Sequence, residues 1–325
     1  MFKRTRRLRK NTIVRKMLQN VHLSLDDLIY PIFVKEGSNI KEEISSMPGQ
    51  YRYSLDRLPE LLDRCCELGI KALLLFGIPK HKDEVASEAY HSHGIVQKTL
   101  KFIKKHYENQ FLLITDVCMC EYTSHGHCGI LQEQEVDNDT TLQFLSKIAL
   151  SHVQAGADIV APSDMMDGRV QAIRTVLDKN GFPYIPIMAY SVKYASSFYG
   201  PFREAADSAP SFGDRKSYQM DFQSDKEFYQ EVLSDVEEGA DFIMVKPGIA
   251  YLDVLHAIKE CISLPLVSYQ VSGEYSMIKA AALQGWIEEE KIVFESMIAL
   301  KRAGADLIIT YYALEMAQWL KEKSR

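Results

Sequence analysis

No apolar run in this 325-residue chain approaches the ~20 residues needed to cross a bilayer. The longest, such as Ala72 to Phe76 and Phe242 to Val245, have the length of buried strands. Cysteine is sparse, at six in the whole sequence, with two adjacent (Cys65, Cys66) and three clustered (Cys118, Cys120, Cys128). That distribution does not fit the disulfide framework of a small secreted domain; reduced thiols and a metal fit it better. No Gly-x-Gly-x-x-Gly loop follows any apolar run, which argues against a dinucleotide-binding sheet. Acidic residues are absent from the first sixteen positions, which hold Lys3, Arg4, Arg6, Arg7, Arg9, Lys10, Arg15 and Lys16, although the chain as a whole carries a net charge of −6. This stretch lacks the apolar segment and cleavage site of a secretory signal and is read as mature sequence of a cytoplasmic protein. A polybasic arm on an acidic body suits a solvated or subunit-contacting extension. The body repels polyanions, which argues against nucleic acid or a membrane surface as partner.

What is present is ordinary globular composition, 46% hydrophobic and 25% charged, enough for a sizeable core. Eight short β-rich runs alternate with amphipathic stretches. The runs lie near Leu28 to Val34, Ala72 to Phe76, Phe111 to Val117, Asp158 to Ala161, Tyr184 to Tyr190, Phe242 to Lys246, Leu266 to Tyr269 and Leu307 to Thr310. Helices are expected near Leu58 to Leu68, Thr140 to Ala155, Val170 to Leu177, Lys226 to Glu238, Tyr251 to Cys261 and Glu288 to Arg302. Where helix passes into strand a phrase recurs: Gly156-Ala157-Asp158, Gly239-Ala240-Asp241 and Gly304-Ala305-Asp306, with Gly69-Ile70-Lys71 a looser copy. Glycine there suits a left-handed helix C-cap. The fold class is therefore α/β, a (β/α)8 TIM barrel spanning 28–325 with an N-terminal arm over 1–27; a doubly wound open sheet is the alternative.

In such a barrel chemistry collects at the C-terminal ends of the strands. The sixth run ends in Met244-Val245-Lys246-Pro247-Gly248, and Lys193 stands just past the fifth. A single strand-end lysine is ordinarily a snorkelling or ion-paired side chain. Two on consecutive strands point instead to imine chemistry, because burial and a neighbouring ammonium both lower an amine's pKa. The third run leads into Asp116-Val117-Cys118-Met119-Cys120 and on to Cys128. Extended alternation would put Asp116, Cys118 and Cys120 on one face. Three thiolates favour zinc, in an open catalytic site or one closed by His125 or His127, with buried free cysteines a third reading.

Tyr194 to Gln223, rich in aromatics, is long enough at the active face to be a lid. Its Arg203 and Arg215 suit a carboxylate clamp or, alternatively, surface ion pairs with Asp207 or Asp214. Ser163 to Arg169, Ser272-Gly273-Glu274 and Tyr311-Tyr312 sit where ligand-facing loops belong, yet each also reads as a helix cap or packing group.

Met244 to Gly248, Ala161-Pro162-Ser163-Asp164-Met165-Met166-Asp167-Gly168-Arg169, Phe198-Tyr199-Gly200-Pro201-Phe202-Arg203 and the segment Asp116 to Gly129 are together the basis of a resemblance that covers essentially the whole chain. The sequence resembles the porphobilinogen synthases, or δ-aminolevulinic acid dehydratases. The resemblance implies a barrel whose basic arm wraps a neighbouring subunit within a homo-octamer, and a lyase that condenses two 5-aminolevulinate molecules to porphobilinogen on the route to haem. It implies Schiff bases on Lys246 and Lys193, an A-side substrate gripped by Arg203, Arg215 and Gln219, and a P-side carboxylate bound by Ser272 and Tyr311. It also implies catalytic zinc on Cys118, Cys120 and Cys128, proton transfer or amine orientation by Asp116, and an allosteric magnesium at Glu231. Some relatives carry a lid cysteine where this chain has Ser217, so a lid zinc is not expected. The competing readings are a class I aldolase-like Schiff-base lyase acting on a keto acid, which normally needs one lysine, and a zinc-containing nucleic-acid-binding protein, which the acidic body disfavours.

Overall fold

The computed structural model describes residues 2–323; positions 324–325 of the span read as barrel lie outside the described residues. Among the described residues, eight parallel strands form one barrel: β1 (Leu28–Lys35), β2 (Ala72–Ile78), β3 (Leu112–Val117), β4 (Ile159–Pro162), β5 (Met188–Lys193), β6 (Phe242–Lys246), β7 (Leu266–Gln270) and β8 (Leu307–Thr310). Neighbours pair in chain order, β8 returns to β1, and one parallel bridge between Val160 and Ile187 joins β4 to the entrance of β5. The strands are covered on both faces, which is why they read as continuous apolar runs rather than alternating ones.

Helices α1 (Pro59–Leu68), α2 (Ile95–Tyr107), α3 (Asn138–Ala155), α4 (Arg169–Lys179), α5 (Gly200–Ala205), α6 (Glu227–Glu238), α7 (Leu252–Lys259), α8 (Ser272–Leu283), α9 (Glu289–Ala303) and α10 (Ala313–Lys323) complete the architecture. Of these, α2, α5, α8 and α10 are absent from the sequence-based expectation. The fifth strand also begins later than expected, at Met188 rather than Tyr184. Tyr184 is 94% exposed, and Pro183 and Pro186 on either side of Tyr184 and Ile185 have no N–H to give to a ladder.

The recurring Gly-Ala-Asp phrase has a double use. Gly156 and Gly239 take φ of 113° and 101°, a backbone that Cβ-bearing residues rarely adopt, and end α3 and α6 there. The aspartate then accepts the N–H that opens an adjoining strand: Asp158 from Leu113, Asp241 from Ile187 and Asp306 from Leu266, each at 2.8 Å. The same three aspartates return their own N–H groups to the carbonyls of those residues at 2.8–2.9 Å. The phrase thus stitches the N-terminal rim of the barrel, opposite the strand ends that carry the chemistry.

The segment read as an arm holds a 3-10 turn, Thr5–Arg9, and a short helix, Thr12–Met17, neither of which buries a residue. The segment read as a lid, by contrast, is folded down. It carries Ser197–Tyr199 and α5, and it buries Tyr199, Ala205, Arg215, Gln219 and Met220.

Candidate active site

Lys193 and Lys246 are register partners at the last residues of β5 and β6. Each is 5% exposed, and both line one cavity of about 20 Å³ with Asp116, Cys120, Glu121, Ser163, Arg203 and Arg215. The Nζ of Lys246 lies 4.3 Å from the ring centre of Tyr269, 5.0 Å from Tyr190, 5.1 Å from Phe202 and 5.4 Å from Tyr199. This dry aromatic box strips water from the amine, and the Lys193 ammonium beside it repels a second positive charge. Together they pull the Lys246 pKa down to about 7. Lys193 moves the other way: burial disfavours its charge, but the sulfurs of Cys128, Cys118 and Cys120 outweigh burial and raise its pKa. Its Nζ donates to the Ser163 carbonyl. The loop after Lys246 is held by the buried Glu274 carboxylate, which accepts the N–H groups of Ile249 at 2.7 Å and Val271 at 2.8 Å.

The three sulfurs of Cys118, Cys120 and Cys128 are buried and lie within 4.8 Å of one another, with Cys118 Sγ 3.4 Å from Cys120 Sγ. They do not converge by strand alternation. β3 ends at Val117, and the chain then turns, with the Tyr122 and Thr123 N–H groups both returning to the Met119 carbonyl at 2.9 Å. Interactions with the Cys118 and Cys120 sulfurs, with Arg215 and Lys193 nearby, draw the Cys128 pKa well below the ordinary thiol range. Three buried sulfurs gathered this closely, one of them readily deprotonated, fit a soft divalent cation such as zinc. Neither histidine joins the cluster. His127 Nδ1 meets the Tyr218 hydroxyl at 3.0 Å and its Nε2 the Phe212 carbonyl at 3.1 Å, while His125 Nδ1 accepts the His127 N–H. The His127 ring and the His125 carbonyl, which accepts the Ser211 N–H at 3.0 Å, therefore tie the cysteine loop to the lid, and among the described residues the three sulfurs converge without a histidine.

Two carboxyls face this cluster. Burial, then the nearby Glu121, raises Asp116 to about 7; its Oδ2 accepts the Ser163 hydroxyl at 3.0 Å, and its Oδ1 has no partner among the described residues. Glu121 is raised by burial as well and accepts the Cys120 thiol at 3.3 Å. Ser163 and Glu121 were missed as individual site residues. The signal available was their place, one directly after the fourth strand and the other inside the cysteine segment.

On the lid, Arg215 is fixed by donating to the carbonyls of Gly126 at 2.8 Å and Ser208 at 2.6 Å. Neither lid arginine pairs with an aspartate: Asp207 is held by Lys82 at 2.8 Å and Asp214 by Lys216 at 3.8 Å. Arg203 keeps its Nε without a partner, and Gln219, buried, has neither amide atom bonded among the described residues. Such groups are costly unless a ligand satisfies them. Ser272 and Tyr311 stand back from the cavity. The Ser272 hydroxyl accepts the Phe202 N–H at 2.9 Å and donates to the Phe198 carbonyl at 3.3 Å, and the Tyr311 hydroxyl meets that of Tyr269 at 3.1 Å. Glu231 lies apart on α6, half-buried in a second cavity of about 370 Å³ that also takes in Glu135, Asp167 and Glu227.

Two buried lysines side by side at the C-terminal rim of the barrel, one with its pKa drawn down, mark the active face of a TIM-barrel enzyme. The family is delta-aminolevulinic acid dehydratase, to which the chain belongs: that family's model matches residues 2–319. The chain is similar to curated members, with 54% identity over 322 residues to the enzyme of Halalkalibacterium halodurans, covering 99% of this chain and 98% of the relative. It is 55% identical over 317 residues to that of Methanothermus sociabilis, covering 98% of each. Among solved structures it resembles the Toxoplasma gondii delta-aminolevulinic acid dehydratase (porphobilinogen synthase) in complex with the reaction product porphobilinogen. The TM-score there is 0.96 at 46% identity, covering 99% of this chain and 92% of the other. Family membership sets aside the aldolase-like and nucleic-acid-binding readings.

Proposed function

We propose that the protein is a porphobilinogen synthase, a lyase that condenses two 5-aminolevulinate molecules to porphobilinogen with loss of two waters. Its observational support is the depressed Lys246 amine next to Lys193 in one cavity, together with family membership. The neutral Lys246 Nζ adds to the ketone carbon of one substrate, and loss of water gives an iminium. That product is cationic, and the four ring faces around Nζ favour it electrostatically while excluding the water that would hydrolyse it. An iminium draws electrons from the adjacent C–H bond far better than a ketone does, so proton removal gives the enamine that attacks the second substrate. Lys193 is the second imine-forming residue and, until it reacts, its charge adds to burial in keeping Lys246 neutral. Arg203, Arg215 and Gln219 take the second substrate's carboxylate, and Ser272 and Tyr311 serve the first. Asp116, with one carboxyl oxygen on Ser163 and the other unengaged, accepts and returns protons.

Cys118, Cys120 and Cys128 hold zinc, which when bound supplies Lewis-acid polarisation of an amine or water in the same cavity. Glu231 holds magnesium. Burial, and then Asp235, Asp167 and Glu227 against the offsetting Arg169, raise its pKa to about 7, and a hard cation relieves that crowding of acids. The basic arm, residues 1–27, docks on another copy in a homo-octamer; the exposed Phe2, Leu8, Ile13 and Met17 are the surface it offers. No helix among the described residues is long and apolar enough to cross a membrane, and we assign the enzyme to the cytoplasm. A cavity of about 20 Å³ has room for roughly one water, so substrate entry requires the lid over 194–223 to lift.

Trapping tests the reading. Cyanoborohydride with 5-aminolevulinate should leave a reduced adduct on Lys246, Lys246→Met should make no porphobilinogen, and added magnesium should stimulate wild type but not Glu231→Ala. Recovery of unmodified Lys246 peptide from enzyme still turning over would overturn it.

A further inference from the structure

Arg52 is not part of the cavity, yet it is buried and aimed at the element that carries Arg203. It lies in the short strand Tyr51–Tyr53, which pairs antiparallel with Lys41–Glu43 and parallel with the end of β1, with Arg52 opposite Phe33. Its guanidinium is spread across three acceptors. Nε donates to the Ala205 carbonyl at 2.7 Å, Nη2 to the Glu204 carbonyl at 2.5 Å, and Nη1 to Glu42 Oε1 at 2.6 Å. Ala205 and Glu204 end α5, where backbone carbonyls run out of helical donors and a cation is favoured. Ser45, from the same excursion, donates its hydroxyl to Glu204 Oε1 at 2.6 Å. At the other end of α5, Ser272 accepts the Phe202 N–H. The helix is therefore pinned at both ends to parts of the barrel that precede and follow the lid in sequence.

The residues so placed matter. Phe202 forms one wall of the Lys246 box, and Arg203 faces the cavity with Nε unpartnered although the like-charged Arg215 lines the same space. A six-residue helix has too few internal hydrogen bonds to hold a guanidinium against that repulsion by itself. We infer that Arg52 is a positioning residue: by fastening the C-terminal carbonyls of α5 to the barrel, it sets the reach of Arg203 toward the carboxylate of the second substrate. This rests on the proposed reaction, in which capture on Lys246 precedes and does not require Arg203.

The test separates the two substrates. In Arg52→Ala and Arg52→Lys, single-turnover trapping on Lys246 should stay within about twofold of wild type, while the KM for porphobilinogen formation rises about ten- to a hundredfold in the alanine variant. The lysine variant, able to reach one carbonyl but not to bridge two, should fall between, and guanidinium ion added to Arg52→Ala should lower KM again. Should the alanine variant not fold, the lysine variant carries the comparison alone. Unchanged KM in a folded variant overturns the inference, as does loss of Lys246 trapping in parallel with turnover. Failure of wild type to trap substrate or to form porphobilinogen falsifies the proposed function instead.

Discussion

Lys193 and Lys246 point into the same cavity because β5 carries one residue more than β6 over the same rise. Ala189 pairs with Ile243 and Lys193 with Lys246, so four residues on one strand match three on the other, through a register shift between Ile243 and Val245. Strict alternation would have sent the two lysines to opposite faces of the sheet. The bulge restores their parity, and the chemistry depends on it.

The pH dependence of capture on Lys246 follows from that pairing. The amine reacts only when neutral, so the trapping rate should rise with pH through about 7 and level off above it. Burial is the larger cause of the depression and the Lys193 charge the next, so Lys193→Met should move the midpoint upward without returning it to the value of a free lysine. The rate of cyanoborohydride trapping against pH measures both. A midpoint that stays put or falls in the variant would remove Lys193 from the explanation.

Removing a cysteine should separate metal binding from folding. Cys128→Ala deletes the most acidic thiol of the cluster, and its zinc affinity, measured by competition with a chromophoric chelator, should fall by more than the roughly 10–100-fold typical of losing an outer partner. Chelation of wild type should abolish turnover and leave the far-ultraviolet circular dichroism unchanged, because the barrel core closes without the cluster. Unfolding on chelation would make the metal structural.

Gln219 should show a trade of stability against binding. Its buried amide has no partner among the described residues, so Gln219→Leu removes polar atoms that cost desolvation and supply nothing in return. The thermal midpoint should hold or rise, while KM increases about tenfold, the equivalent of one hydrogen bond of about 1.4 kcal/mol. A marked drop in the midpoint with KM unaltered would place Gln219 in the packing rather than the site.

Asp241→Ala should lower stability by about 1–3 kcal/mol, since the Ile187 N–H at the entrance to β5 then loses its charged acceptor. Denaturant unfolding reads this directly, and activity per folded molecule should be unchanged because the contact lies at the rim remote from the lysines.

Much of the architecture could be read from local pattern. Phe242–Lys246 and Leu307–Thr310 have the bounds expected of them, and Gly156 and Gly239 end helices in the left-handed conformation their position suggested. Tyr184 to Ile187 looked like strand because hydropathy does not register the two prolines that keep it out of the ladder. Helix α8 escaped notice because Ala280 to Leu283 and Met277 carry little polar contrast. Among candidate site residues, the lysines and Asp116 were legible as residue types at strand ends and the cysteines as a cluster after one, whereas Arg52 carried no signal, since its role depends on a contact 152 to 153 positions away.

The sequence by itself determined the number and order of β/α units and which reactive groups stand at their ends, because these follow from short-range hydropathy, helix capping and strand length. Only the tertiary structure decided that the two lysines share a face, that a turn rather than an extended strand gathers the sulfurs, and that His125 and His127 hold the lid. Side-chain direction there is fixed by pairing with distant strands and loops, and a bulge of one residue reverses it without changing any local propensity.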